Sequence, residues 1–107
     1  IQVQWFGEGS NLHRVWDKNM IESYGMTYTE LAGELVEVSR AERKEIQAGT
    51  IYDWVDESHE ICAKLYNSVE IGEKLGYRYS YDYNDLLFEQ LQKGGLRLAK
   101  VLNDLFA

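Results

Sequence analysis

The sequence predicts an all-α, multi-helix domain preceded by one short β-strand. Three observations carry that prediction. Proline is absent from all 107 residues, so the strongest helix breaker is missing. Apolar residues recur at three- and four-residue intervals through most of the chain, the period that lines one face of a helix. Strict alternation, the mark of a half-buried strand, is confined to the run Ile1-Gln2-Val3-Gln4-Trp5-Phe6. The length is that of one ordinary domain, enough to bury a core.

Residues 1–6 form the strand. A single strand cannot stand alone, so its partner is expected from residues this chain lacks or from another chain. Gly7-Glu8-Gly9 reads as a turn, and Ser10 or Asn11 as the N-cap of a first helix. That helix carries Leu12, Val15, Trp16 and Met20 on its apolar stripe. A second helix fits Thr27 to about Val38, with Tyr28, Leu31, Ala32 and Leu35 facing inward. The charged stretch Arg40–Gln47 reads as a short surface helix ending near Gly49.

Thr50 then caps a long third helix with Ile51, Trp54, Val55, Cys62 and Leu65 on one face. On that stripe Cys62 reads as a buried, inert thiol, and a lone cysteine permits no internal disulfide. Residues 67–80 read as a loop holding Gly72, Gly76 and nearby tyrosines. The last helix, about Asp82 to Phe106, aligns Leu87, Leu91, Leu98, Leu102 and Leu105. Gly94-Gly95 in its middle costs about 1 kcal/mol per glycine against alanine, for which the usual reason is close approach of another helix or a kink. With no internal repeat and no low-complexity linker, the chain reads as one helical unit.

The formal net charge of −7 argues against a protein that coats duplex DNA by neutralising phosphates. An enzyme whose local positive charge comes from bound metal ions stays open, since such ions are often the largest charges in a site. No stretch approaches the ~20 apolar residues of a membrane span. The chain opens at Ile1 without methionine or leader, which reads as a chain whose upstream part has been removed.

The chemistry-bearing stretch is Asn11-Leu12-His13-Arg14-Val15-Trp16-Asp17. On a helix His13 and Asp17 lie on one face, roughly 5–6 Å apart at Cβ. An imidazole and a carboxylate so placed can share one divalent metal, zinc first. On spacing alone the commoner outcome is a helix-stabilising ion pair worth roughly 0.2–0.5 kcal/mol. Zinc takes about four ligands, and the chain offers few more. His59, among Asp56, Glu57 and Glu60, reads as part of a solvated acidic face or as a second metal site. Three tryptophans and eight tyrosines can fill a core or stack bases. There is no phosphate-cradling glycine loop, Ser/His/Asp arrangement or zinc-finger cysteine pattern.

Beyond spacing, three stretches resemble the zinc-dependent single-strand-specific nucleases and 3′-nucleotidases, relatives of bacterial zinc phospholipase C. Ile1–Gly7 running into Asn11-Leu-His-Arg-Val-Trp-Asp17 is similar to the family's short strand and Asn-Leu-His-x-Val-Trp-Asp helix start. Trp54-Val-Asp-Glu-Ser58 resembles a Trp-Ala-x-Glu-Ser stretch. Gly94-Gly-Leu-Arg-Leu-Ala-Lys-Val-Leu-Asn103 is similar to the family's C-terminal Gly-x-Arg-Leu-Ala-x-x-Leu-Asn ending.

The resemblance implies the C-terminal helical portion of such an enzyme, residues 1–107, whose N-terminal portion lies outside this chain. It implies a trinuclear zinc cluster in the complete enzyme, in which His13 and Asp17 hold one zinc and other ligands come from upstream. Lys18 and Asn19 follow as substrate-contacting positions, and no further catalytic residue is expected within this chain. The activity implied is hydrolysis of single-stranded DNA or RNA to 5′-mononucleotides, with 3′-nucleotidase activity, in a secreted or periplasmic enzyme. Two readings stand beside it: a phospholipase-C-like phosphoesterase, and a helical interaction module that keeps the scaffold without the chemistry.

Overall fold

A computed structural model describes residues 1–107 and bears out the mostly helical class with a small strand system at the N-terminus. Strand β1 (Gln2–Trp5) turns back into β2 (Glu8–Asn11). Helical structure then runs through α1 (Leu12–Arg14), a π-helical segment (Val15–Asn19) and α2 (Met20–Tyr24). Helices α3 (Tyr28–Leu35), α4 (Arg40–Gln47) and α5 (Ile51–Asn67) follow. A two-residue strand β3 (Lys74–Leu75) precedes the long α6 (Tyr77–Phe106).

The first strand finds both of its partners within the chain, correcting the expectation that they lie elsewhere. β1 pairs antiparallel with β2, Gln2 opposite Asn11 and Trp5 opposite Glu8, and parallel with β3. Its antiparallel partner was hidden in the turn-like run Glu8–Asn11. The reversal is made by Phe6 and Gly7, both with positive φ (49° and 83°). Two such residues make the type I′ hairpin turn, whose twist matches that of its strands. Glycine adopts it freely, whereas Phe6 is held there against roughly 1–2 kcal/mol of steric cost.

The chain separates into two compact units, where the sequence reads as one: residues 1–25 with 49–84, and residues 26–48 with 85–107. The core of the first gathers Val3 and Trp5 from β1, Leu12, Val15 and Met20 from the first helical run, Leu65, Leu75 and Tyr79. Val15 and Met20 are fully enclosed, and burial of each such side chain is worth about 1.5–3 kcal/mol. In the second unit Leu31 and Leu87 are buried. There α6 side chains reach the ends of the shorter helices: Gln92 Nε2 donates to Leu35 O (2.6 Å) and Arg97 Nε to Ile46 O (3.0 Å). Those carbonyls belong to last turns, which have no partner inside their own helix.

Capping follows the sequence closely. Thr27 and Glu30 close a capping box at α3, and Thr50 and Asp53 another at α5. Two expectations fail and a third is narrowed. α6 begins at Tyr77, because Tyr79, Tyr83 and Leu87 continue a buried or half-buried stripe back through the supposed loop. Cys62 is exposed, as are Ile51 and Val55 on the same α5 stripe, of which Leu65 alone reaches the core. A Cβ on Gly94 or Gly95 would meet nothing within 4 Å, so no helix of this chain approaches closely there.

Candidate metal centre

The site is built on the helical run that follows the hairpin. Asn11, the last residue of β2, caps it: its Oδ1 accepts from the Arg14 backbone N–H at 2.8 Å. Ser10, the other capping candidate, is buried, and its hydroxyl donates to Asn19 Oδ1 at 2.7 Å. That bond ties β2 to the far end of the π-helical segment. Met20 N–H reaches Val15 O across five residues, the mark of a π-turn, and single π-turns occur frequently at functional sites. Val15 and Met20, five apart, are both buried, an interval that an α-helix would not bring back to one side but a wider turn does.

His13 precedes the π-helical segment and Asp17 lies in its middle. The imidazole Nε2 stands 2.7 Å from the carboxylate Oδ2. Both side chains are open to solvent, at 79% and 69% exposure. The fold thus brings together the two expected ligands and presents them outward. Lys18 is exposed on the next position, while Asn19 is half-buried and committed to Ser10. His59 is exposed, and nowhere do three His, Cys, Asp or Glu side chains converge as a metal-binding group.

Behind the pair lies an aromatic buttress that residue spacing alone did not single out. Trp16 Nε1–H donates to Tyr79 Oη at 2.9 Å. Trp16, Tyr79 and Tyr83 meet edge-to-face, with ring centroids 4.6–6.3 Å apart, the arrangement aromatic quadrupoles favour. Burial pushes the Tyr79 phenol up to about 12, against the lowering effect of the Trp16 hydrogen bond and with small contributions from Tyr83 and Glu73. The phenol therefore stays protonated, anchoring the turn between His13 and Asp17 to the start of α6.

The donor set fits zinc in kind and falls short in number. Imidazole nitrogen and carboxylate oxygen are both ordinary zinc ligands, and a closed site takes about four. The pair thus offers two donors of the right kind, with no third His, Cys, Asp or Glu converging on them.

Comparison with known proteins agrees with the residues. The S1/P1 Nuclease family model matches residues 1–107. Among curated relatives, Endonuclease 3 of Arabidopsis thaliana is 28% identical over 123 residues, covering 100% of this chain and 42% of its own length. Endonuclease 2 of the same plant is 28% identical over 128 residues, covering 99% and 42%. The chain therefore spans less than half the length of the relatives it matches. It belongs to the S1/P1 nuclease family.

Proposed function

We propose that this chain is the metal-ligating C-terminal portion of a zinc-dependent nuclease acting on single-stranded DNA or RNA to give 5′-mononucleotides, with 3′-nucleotidase activity. The observation that carries the reading is the His13–Asp17 pair, 2.7 Å apart and facing solvent at a π-turn. An ion pair kept only for helix stability needs neither the π-turn nor the aromatic buttress. The family match over the whole chain supports the choice of nucleic acid over lipid as substrate.

Each residue has a definable part. His13 and Asp17 supply one neutral and one anionic donor, so the carboxylate offsets part of the charge of a dication. Zinc held by His13 and Asp17, as part of a larger cluster, would supply Lewis-acid activation of water and of the phosphoryl oxygen. Lys18, exposed beside Asp17, offers an ammonium as a point charge for phosphate. Asn19 holds the segment's shape through Ser10, which makes Lys18 the better placed of the two for substrate. Metal charge also lets a protein of net charge −7 accept a polyanion.

Two donors are about half of what zinc takes, so the remaining ligands come from the N-terminal portion of the enzyme, on the same or a companion chain. No helix here is long and apolar enough to cross a membrane; a secreted or periplasmic location is part of the proposal. The test is the purified protein's zinc content together with its products on single-stranded DNA. Bound zinc and fragments ending in 5′-phosphate are expected. A zinc-free protein that cleaves, or a zinc-loaded one that leaves single strands intact, contradicts the reading.

A further inference from the structure

Arg14 fills the one position that the Asn-Leu-His-x-Val-Trp-Asp pattern of residues 11–17 leaves open. Its backbone is fixed: the N–H donates to the Asn11 cap at 2.8 Å, and the residue is helical, with φ of −66° and ψ of −35°. Its side chain, by contrast, is exposed and has no partner within the chain. Lys18, four positions on, is exposed and unpaired in the same way. Residues at this spacing share an edge here, since His13 and Asp17, each one position earlier, meet at 2.7 Å. Arg14 and Lys18 therefore form the neighbouring edge of the same turn, roughly 100° further round the axis.

Helix stability does not account for these two cations. Like charges four apart destabilise a helix, and the acid nearest to Arg14 in sequence, Asp17, is taken by His13. Lys18 makes no ion pair with Glu22, although Arg78, Lys93 and Lys100 are each neutralised by an acid four positions away. In a chain of net charge −7, an uncompensated positive edge beside the metal pair is a local exception. Screening confines its field to about 10 Å at 0.1 M salt, so it acts on groups held close to that pair.

We propose that Arg14, with Lys18 beside it, grips the phosphate next to the reacting one, so that this enzyme favours a strand over a mononucleotide. The inference rests on the nuclease reading above. A guanidinium sets two parallel N–H bonds on one phosphate, and an ammonium adds a point charge. The fixed backbone of Arg14 aims that fork from the edge adjoining His13 and Asp17, where the neighbouring link of a strand passes. A 3′-mononucleotide carries only the phosphate that reacts, and it offers Arg14 nothing to hold.

The test compares kcat/KM on an oligothymidylate with kcat/KM on a 3′-mononucleotide, in the purified protein and in Arg14→Gln. The ratio of the two is expected to fall about 3- to 10-fold, between the worth of an exposed ion pair and that of a sheltered charged hydrogen bond. In parallel, a fluorescent oligothymidylate is titrated with chelator present across a salt series, so that nothing is cleaved. The slope of log K against log salt is expected to shrink by about 0.7 in Arg14→Gln, the value for one phosphate of a single strand. Arg14→Lys, which keeps the charge and loses the fork, should keep the slope and lose part of the ratio. An unchanged ratio or an unchanged slope overturns the proposal, as do equal losses in Lys44→Gln, which removes the same charge from α4. A wild-type protein that neither binds nor cleaves the strand overturns it too. A slope that depends on Arg14 in a protein without hydrolytic activity sustains the grip and removes the nuclease reading. Hydrolysis that needs His13 and ignores Arg14 does the reverse.

Discussion

Tyr79 carries more of the site than its distance in sequence from His13 suggests. Its hydroxyl accepts from the Trp16 indole N–H, and its ring packs edge-to-face on Trp16 within the π-turn. Tyr79→Phe keeps the ring and removes the acceptor, so a loss of about 1 kcal/mol in urea unfolding at pH 7 is expected, the usual worth of one such bond. The pH dependence has a definite sign. An unfolded tyrosine ionises near 10, whereas Tyr79 in the fold holds its proton to about 12. The unfolded chain therefore releases the proton first, and stability present below pH 10 falls as pH rises towards 12. In Tyr79→Phe the loss of stability across that window should be visibly shallower; equal slopes would mean that the phenol is not sheltered.

At the scale of elements, the hairpin and α6 show what could be read in advance and what could not. Caps and periodicity placed α3, α4 and α5 to within a few residues, since Thr27, Ser39 and Thr50 each satisfy backbone donors at helix starts. The hairpin was missed because its turn puts a phenylalanine where glycine or asparagine is expected, and because Glu8-Gly9-Ser10 has no strand-like side chains. Gly7→Ala tests that turn. Nothing lies within 4 Å of the added methyl, so only the positive φ is penalised, and a loss of roughly 1–2 kcal/mol is expected from thermal or urea unfolding. Gly95→Ala tests the opposite case. Its site is open and helical, and a gain of about 0.5–1 kcal/mol in this chain follows from helix propensity. If the same change lowers activity of the complete enzyme, the glycine is kept for a segment that packs there.

For the molecule as a whole, the unfilled faces matter most. Ile51, Val55 and Cys62 on α5, and Leu98, Leu102 and Leu105 on α6, are the stripes the sequence assigned to a core, yet they lie exposed. The periodicity was read correctly; what covers these faces was not contained in it. The same holds for the His13–Asp17 pair, where the helix was legible and the absence of further donors beside it was too. An intact-mass measurement on the purified assembly is expected to reveal the portion carrying the remaining ligands, on this chain or bound to it. A well-folded monomer of these 107 residues alone that binds zinc tightly would refute that division of labour.

The most direct measurement is the rate of single-strand hydrolysis by His13→Ala at saturating zinc, set beside the wild-type protein. His13 is exposed and makes no core contact that its loss would disturb, so folding should be preserved and checked by circular dichroism. Outer-shell changes at metal sites already cost about 10–100-fold; loss of a ligand should cost at least about 100-fold, with less zinc bound. Wild-type rate and wild-type zinc in the folded variant would show that the His13–Asp17 pair is only an ion pair on a helix.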